Sequence, residues 1–203
     1  MKVLLINGSP HENGCTYTAL YEVAKPLQNL GVLVEFFYIG TAPVYGCAAC
    51  GSCNKKRGAC AYTEDRCNAL IQAAEGADGI VIGSPVYYSG PNGALCALLD
   101  RAFFAGREAF HQKPGAVVLS CRRSGGTAAF DRLNKYLTIN QMPVVSSQYW
   151  NVVHGTTSSE VRQDLEGMQI MRVLGKNMAW LLNSLKLSRS PAHEPRVGTN
   201  FIR

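Results

Sequence analysis

No stretch of this 203-residue chain approaches the ~20 consecutive apolar residues that a membrane span requires. The N-terminus is equally unsuited to export, because Asn7, Gly8 and Ser9 stop the apolar run of Val3 to Ile6 before it is long enough for a signal peptide. Both absences predict a cytoplasmic protein with no membrane partner. Internal repeats and low-complexity linkers are also missing. Basic residues are scattered, with short clusters at Lys55-Lys56-Arg57 and Arg122-Arg123, and no long basic run or aromatic–basic interleaving points to nucleic acid. There is no nucleophile–base–orienter set of the hydrolase type. His111 and His193 carry no pattern, and His154 follows Trp150-Asn151 in what reads as a loop beside the site discussed below.

What remains is an ordinary globular composition, 47% hydrophobic and 17% charged, in a length that suits one domain with a sizeable core. The formal charge of +6 serves solubility, or steers an anionic partner such as a nicotinamide dinucleotide or an acidic electron donor.

Strands alternate with helices along the chain. Val3 to Asn7 is a continuous apolar run, as expected of a central parallel strand buried on both faces. Thr16 to Leu30 has helical spacing, with Pro26 expected to kink or divide it. Further strands are predicted at 33–39, 79–83, 115–121 and 144–150, and helices at 65–74, 92–104 and 127–137. A last helix starts near Thr157, where Thr157-Ser158-Ser159-Glu160 forms a capping box, and runs towards Leu185. One domain over 1–187 is expected, with a cysteine-rich insertion at about 40–63 and an irregular tail at 188–203. Five strands in this alternation imply a doubly wound parallel sheet, whose ligands bind beyond the carboxyl ends of the strands.

Three strand-end loops are unusual. The first, Gly8-Ser9-Pro10-His11-Glu12-Asn13-Gly14-Cys15-Thr16, lacks the Gly-x-Gly-x-x-Gly of dinucleotide folds and the Lys of nucleoside-triphosphate loops. It does offer glycines for close approach, hydroxyls at Ser9 and Thr16, and helix N-terminal amides, which suit a phosphate monoester. The second, Ser84-Pro85-Val86-Tyr87-Tyr88-Ser89-Gly90-Pro91, can lie against a flat ring. The third, Ser120 to Gly126, combines two glycines with Arg122 and Arg123, which could face a ring carbonyl or an incoming anion.

Together with Leu98-Leu99-Asp100-Arg101 and the cysteine segment, these loops resemble the NAD(P)H-dependent FMN reductase branch of the flavodoxin-like superfamily, which includes the iron-sulfur flavoproteins. The likeness covers roughly residues 1–125 by motif and the whole chain by architecture. It implies a flavodoxin-like α/β three-layer sandwich, with a five-stranded parallel sheet in the order 2-1-3-4-5 and helices on both faces. It further implies FMN, its phosphate on Ser9, His11, Asn13, Cys15 and Thr16. The isoalloxazine would lie against Pro85, Val86, Tyr87 and Tyr88, closed in by Cys121, Arg122, Arg123, Gly125 and Gly126. Many relatives carry Arg or Lys where His11 stands and Asn where Cys15 stands. NAD(P)H as electron donor, a small-molecule or redox-protein acceptor, and a homodimer or homotetramer follow from the same resemblance. No side chain is assigned a catalytic step, since a flavin would carry the chemistry. Asp100-Arg101 reads as a structural ion pair or a subunit contact.

The chain has eight cysteines, unsuited to structural disulfides in a reducing compartment. Cys47, Cys50, Cys53 and Cys60 follow the spacing x2-x2-x6, whose first three resemble a ferredoxin run. The iron-sulfur flavoproteins hold a [4Fe-4S] cluster on such a segment. Free thiols and a zinc site stand as the alternatives.

Overall fold

A computed structural model describes residues 1–55, 58–186, 191, 194–195 and 197–199. The expected irregular tail, His193, and Lys56 and Arg57 of the first basic cluster lie wholly or largely outside the described residues.

The sheet is built from β1 (Lys2–Asn7), β2 (Leu33–Tyr38), β3 (Gly79–Tyr87), β5 (Gly115–Cys121) and β6 (Val152–His154), parallel throughout and ordered β2-β1-β3-β5-β6. A sixth strand, β4 (Gly90–Pro91), pairs antiparallel with the end of β3 off this path. Its presence shifts the numbering from the expected five-strand order. Successive β1 residues point to opposite faces and Val3 to Asn7 are all buried, so each face needs a helical cover. Leu4 and Ile6 pack under α3 (Cys67–Glu75), α4 (Gly93–Ala105), α5 (Arg107–Phe110) and α6 (Gly126–Ile139). Val3 and Leu5 pack under α1 (Cys15–Asn29), α7 (Ser158–Gln163) and α8 (Leu165–Lys186). A short helix, α2 (Ser52–Lys55), lies in the cysteine-rich excursion. Among the described residues no helix is long and apolar enough to cross a membrane.

Several local expectations are corrected. Pro26 does not divide α1: it sits near the C-terminal end, where few bonds remain to be lost. The strand predicted at 79–83 continues through Tyr87, because Ser84 and Pro85 stay in register with Leu119 and Ser120 of β5. The strand expected at 144–150 is instead a single bridge from Val144 to Gly115, followed by an excursion. Ser146 and Ser147 leave the sheet to bond α8, the Ser147 hydroxyl donating to the Ile170 carbonyl at 2.7 Å and the Asn177 amide donating to the Ser146 carbonyl at 2.8 Å. Asn151 then donates its side-chain N–H to the Val117 carbonyl at 2.9 Å, and pairing resumes at Val152. His154 is therefore a strand residue, paired with Cys121.

The last helix is two helices. Asp164 interrupts it by accepting the Gly167 N–H (2.9 Å) and the His154 N–H (2.7 Å) on its side chain, the local bonding by which Asp competes with a continuing helix. Thr157 caps α7 as expected, accepting the Glu160 N–H at 3.2 Å. The reciprocal half of the box is shifted by one residue, since Glu160 receives the N–H and hydroxyl of Thr156.

Candidate functional site

The strand-to-helix junctions after β1, β3, β5 and β6 meet at the carboxyl edge of the sheet. The first loop is seated by its neighbours. The Gly8 N–H donates to the Gly83 carbonyl at 2.8 Å, and a Cβ on Gly8 would stand 2.7 Å from that oxygen and 2.4 Å from Leu95 Cδ2. Only glycine lets the loop lie this close to β3. Asn92 locks the same contact from below: its side-chain N–H donates to the Gly8 carbonyl at 2.8 Å, while its Oδ1 accepts the Ala94 N–H at 3.0 Å and caps α4. From the other side the Tyr38 hydroxyl donates to the Pro10 carbonyl at 2.7 Å.

Within the loop, Ser9 and Thr16 are buried, and their hydroxyls are engaged inside the protein. Ser9 Oγ accepts the His11 N–H at 3.0 Å, and Thr16 Oγ1 pairs with Ser120 Oγ at 2.9 Å, joining the first loop to the end of β5. His11 and Asn13 are exposed and Cys15 is half-buried. Burial pushes the Cys15 thiol up in pKa. The N-terminus of α1 is open: Gly14 supplies no side-chain cap, and no acidic residue stands in the first turn. Its leading N–H groups consequently point at a cavity of about 490 Å³ lined by Pro10 to Cys15 and by Thr156, Thr157 and Ser158. Uncapped amides, a favourable dipole and no competing carboxylate in the turn suit a phosphate dianion.

The sequence reading takes Thr157 and Ser158 only as part of a helix cap and does not place them, or Thr156, at the site. The Ser158 hydroxyl donates to the Asn13 carbonyl at 3.0 Å, which ties the loop after β6 to the first loop. The same strand-end rule would have found them had the fifth parallel strand been placed at 152–154.

The second loop is a hairpin. Tyr87 pairs with Gly90, and the two turn residues, Tyr88 and Ser89, have φ of 50° and 60°. Positive φ at both central positions is the hairpin turn that matches strand twist, here adopted without glycine. Pro85 and Val86 are half-buried, and Tyr87 and Tyr88 are exposed. The third loop meets this hairpin at Gly125 (φ 89°), whose Cβ, if present, would stand 2.7 Å from Ser89 Cα. Cys121 is buried and donates its thiol to the Ser124 carbonyl at 2.9 Å, and Gly126 is buried against Val152. Arg122 and Arg123 are exposed, and neither has a hydrogen-bond or ion-pair partner among the described residues. Loops one, two, three and the loop after β6 thus form one edge: open amides at one end, a proline–tyrosine ledge in the middle, two unpaired guanidinium groups above. These residues fit FMN, whose phosphate needs the first feature and whose ring needs the second.

The cysteine segment is less complete. Cys47 and Cys50 are exposed, and Cys53 and Cys60 half-buried against the core. Ser52 lowers the Cys50 thiol through hydrogen bonds. Among the described residues no three Cys, His, Asp or Glu side chains converge as metal ligands. The four thiols as arranged therefore do not form the site a [4Fe-4S] cluster or zinc needs, and no electron step is derived through one. Cys67, which the sequence left among the dispersed cysteines, is the hydrogen-bonding neighbour of Cys60, and burial pushes its thiol up to about 12. Asp100 and Arg101 do not pair with each other. Asp100 accepts from the Tyr136 hydroxyl (2.5 Å) and Arg132 (3.4 Å), whereas Arg101 turns to Asp65 and the cysteine segment.

Comparison with known proteins bears on the family and the fold. Residues 1–157 match the family model described as NADPH-dependent FMN reductase. An iron-sulfur flavoprotein of Methanocaldococcus jannaschii is 28% identical over 194 residues, covering 92% of this chain and all of that one. One from Methanosarcina thermophila is 28% identical over 196 residues, covering 93% and 99%. Among solved structures, an archaeal flavodoxin superposes with TM-score 0.61 at 14% identity, covering 90% of this chain and 99% of that one. The flavoenzyme NAD(P)H:(acceptor) oxidoreductase of Paracoccus denitrificans superposes with TM-score 0.64 at 15% identity, covering 90% and 97%. The fold is flavodoxin-like, and the chain belongs to the NADPH-dependent FMN reductase family.

Proposed function

We propose that this protein is a cytoplasmic FMN-dependent oxidoreductase that takes electrons from NAD(P)H and passes them to a small acceptor such as a quinone or a free flavin. The observation that carries the reading is the open N-terminus of α1, facing a cavity shared with Thr156 to Ser158. Bound FMN supplies a two-electron acceptor that can also release electrons singly. The chain's own part is to hold and to orient. Backbone amides of the first loop and α1 carry the phosphate, with Ser158 fixing the loop through the Asn13 carbonyl. Pro85 and Val86 offer an apolar floor, and Tyr87 and Tyr88 leave one side of it open to successive substrates. Arg122 and Arg123, unpaired in a protein of charge +6, attract the phosphates of a nicotinamide dinucleotide. A homodimer or homotetramer belongs to this reading.

The test is anaerobic addition of NADPH or NADH to the FMN-loaded protein. Bleaching of the flavin bands, and their return when a quinone is added, is the expected result. Flavin that stays oxidised with both nucleotides sinks the reading.

A second reading is favoured by the four clustered thiols and by relatives named iron-sulfur flavoproteins. Here the protein is an electron carrier between a ferredoxin and FMN. An absorption spectrum of anaerobically purified protein with iron, zinc and sulfide assays separates the two. Flavin bands without iron or sulfide support the reductase, and iron with sulfide supports the carrier.

A further inference from the structure

The chain has two tryptophans, and both stand in solvent. Trp180 is 70% exposed on α8. Trp150 is 52% exposed in the excursion before β6, where the ring of Tyr149, 60% exposed, lies 4.9 Å from it. Leu165, 78% exposed, opens α8. Tryptophan is highly buried on average and is enriched at the energetic centres of interfaces, so a surface that leaves both uncovered calls for an occupant.

These residues share one face. α8 buries Met168, Met171, Leu174, Met178 and Leu182, which leaves Glu166, Gln169, Val173, Lys176 and Trp180 along its outer stripe at spacings of three and four. The excursion runs beside that stripe. The Asn177 amide donates to the Ser146 carbonyl at 2.8 Å, the Ser147 hydroxyl to the Ile170 carbonyl at 2.7 Å, and the Gln148 amide to Gln169 Oε1 at 3.0 Å. Tyr149 and Trp150 therefore extend the helix face towards the β6 edge of the sheet. That edge is closed to strand pairing: the Val152 N–H turns back to the Trp150 carbonyl at 2.8 Å, and the His154 N–H is taken by Asp164. What the face presents is side chains.

Its charges name the occupant. Glu166 and Lys176 are exposed, and neither has an ion-pair partner among the described residues. They stand about 15 Å apart along the helix, too far to pair within one chain. Between them Arg172 turns aside to Glu22 of α1 at 2.6 Å, so the middle of the stripe carries no free charge. The stripe thus reads negative, neutral, positive. A partner of one sign, or an anionic lipid surface, attracts one end and is repelled by the other. A second α8 laid antiparallel satisfies both ends at once: a two-fold axis near Arg172 sets Glu166 of each copy beside Lys176 of the other, and Leu165 opposite Trp180. Three rings of about 150–250 Å² each, more than half open, offer roughly 300–400 Å² per copy before Leu165 and the stems of Glu166 and Lys176 are added. Two copies together reach the ~1,000 Å² that a specific interface needs.

We propose that the outer stripe of α8, with Tyr149 and Trp150, is an interface between two copies of this chain related by a two-fold axis near Arg172. It gives a face to the homo-oligomer of the proposed function and does not depend on the electron chemistry.

The experiment is sedimentation velocity on FMN-loaded full-length protein over a dilution series at low salt. The wild type is expected to associate. Glu166→Lys and Lys176→Glu each set like charges across the axis, and each is expected to raise the dissociation constant at least tenfold. Mixing these two variants in equal amounts is expected to recover association, because one presents two positive charges and the other two negative ones. The double variant Glu166→Lys/Lys176→Glu is expected to associate like the wild type. Where a second face builds a tetramer, the single variants halve the mass instead of reaching the monomer. A wild type that stays monomeric throughout, single variants that associate like it, or a mixture that fails to recover overturns the proposal. Trp180→Ala tests the same face without a change of charge, and association equal to that of the wild type overturns it too. Flavin bleaching by NAD(P)H is read on the same samples, so the interface and the electron chemistry stand or fail separately.

Discussion

Asn92 makes the sharpest test of how the cleft is held. Its side chain makes two bonds in opposite directions: the amide N–H to the Gly8 carbonyl at 2.8 Å and Oδ1 from the Ala94 N–H at 3.0 Å. The residue is 9% exposed, so water does not fully replace either partner. Replacing it by Ala removes the cap of α4, at about 1 kcal/mol. It also leaves the buried Gly8 carbonyl unpaired, at about 1–3 kcal/mol. The sum is about 2–4 kcal/mol of unfolding free energy. Asn92→Ser separates the two terms: a serine hydroxyl still caps the helix but is too short to reach Gly8, so this variant should lose only the second, about 1–3 kcal/mol. Urea unfolding of the flavin-free protein measures both. FMN titration should show weaker binding in both variants, because Gly8 opens the phosphate loop. If Asn92→Ser unfolds and binds FMN like the wild type, the Gly8 bond does not hold the loop and the reasoning fails. If Asn92→Ala and Asn92→Ser are equally unstable, the cap contributes nothing.

Gly125→Ala places a Cβ 2.7 Å from Ser89 Cα at a φ of 89°. The left-handed backbone costs about 1–2 kcal/mol for an L-residue, and the clash parts the third loop from the hairpin. FMN affinity should fall about tenfold or more, read by recovery of flavin fluorescence. Ser89→Gly is the opposite case: with φ of 60° the serine is strained, and glycine should raise the urea midpoint by an amount worth several tenths to about 1 kcal/mol, after its own entropy cost. For Asp65, burial opposes ionisation, but the Arg101 guanidinium and the N–H groups of Cys67 and Tyr45 outweigh it and hold the carboxyl below its usual range. A depressed folded value contributes stability that is complete above the unfolded value of about 4 and is lost as pH falls through the folded one. The wild type should thus lose its urea-midpoint advantage over Asp65→Asn on acidification below about pH 4, and a constant difference down to about pH 2 would refute this.

Much of the molecule is written in local pattern. An apolar run such as Val3 to Asn7 suits a two-faced central strand, and its alternation with helical periods implies a doubly wound sheet. From that topology the strand-end loops follow as the place for a ligand, and the Gly8–Thr16 and Pro85–Tyr88 segments announce themselves by composition. The spacing of Cys47, Cys50, Cys53 and Cys60 is equally local. Other features depend on partners distant in sequence, which no local pattern records. The strand expected at 144–150 fails because Ser146 and Ser147 find α8, and pairing resumes only where Asn151 reaches Val117. Folding also places Ser120 against the Thr16 hydroxyl, a pairing that no local pattern records. Thr156 to Ser158 join the cleft only because β6 ends beside β1's loop, and the Ser158 hydroxyl crosses to the Asn13 carbonyl. Arg101 next to Asp100 invites a local pair, yet burial makes a guanidinium seek all five acceptors, and only the packed α4 face supplies Asp65, Tyr45, Tyr62 and Cys60 together. Periodicity and turn chemistry act over a few residues and are legible as such; hydrogen-bond satisfaction of buried polar groups is a global condition, met only when the chain has closed on itself.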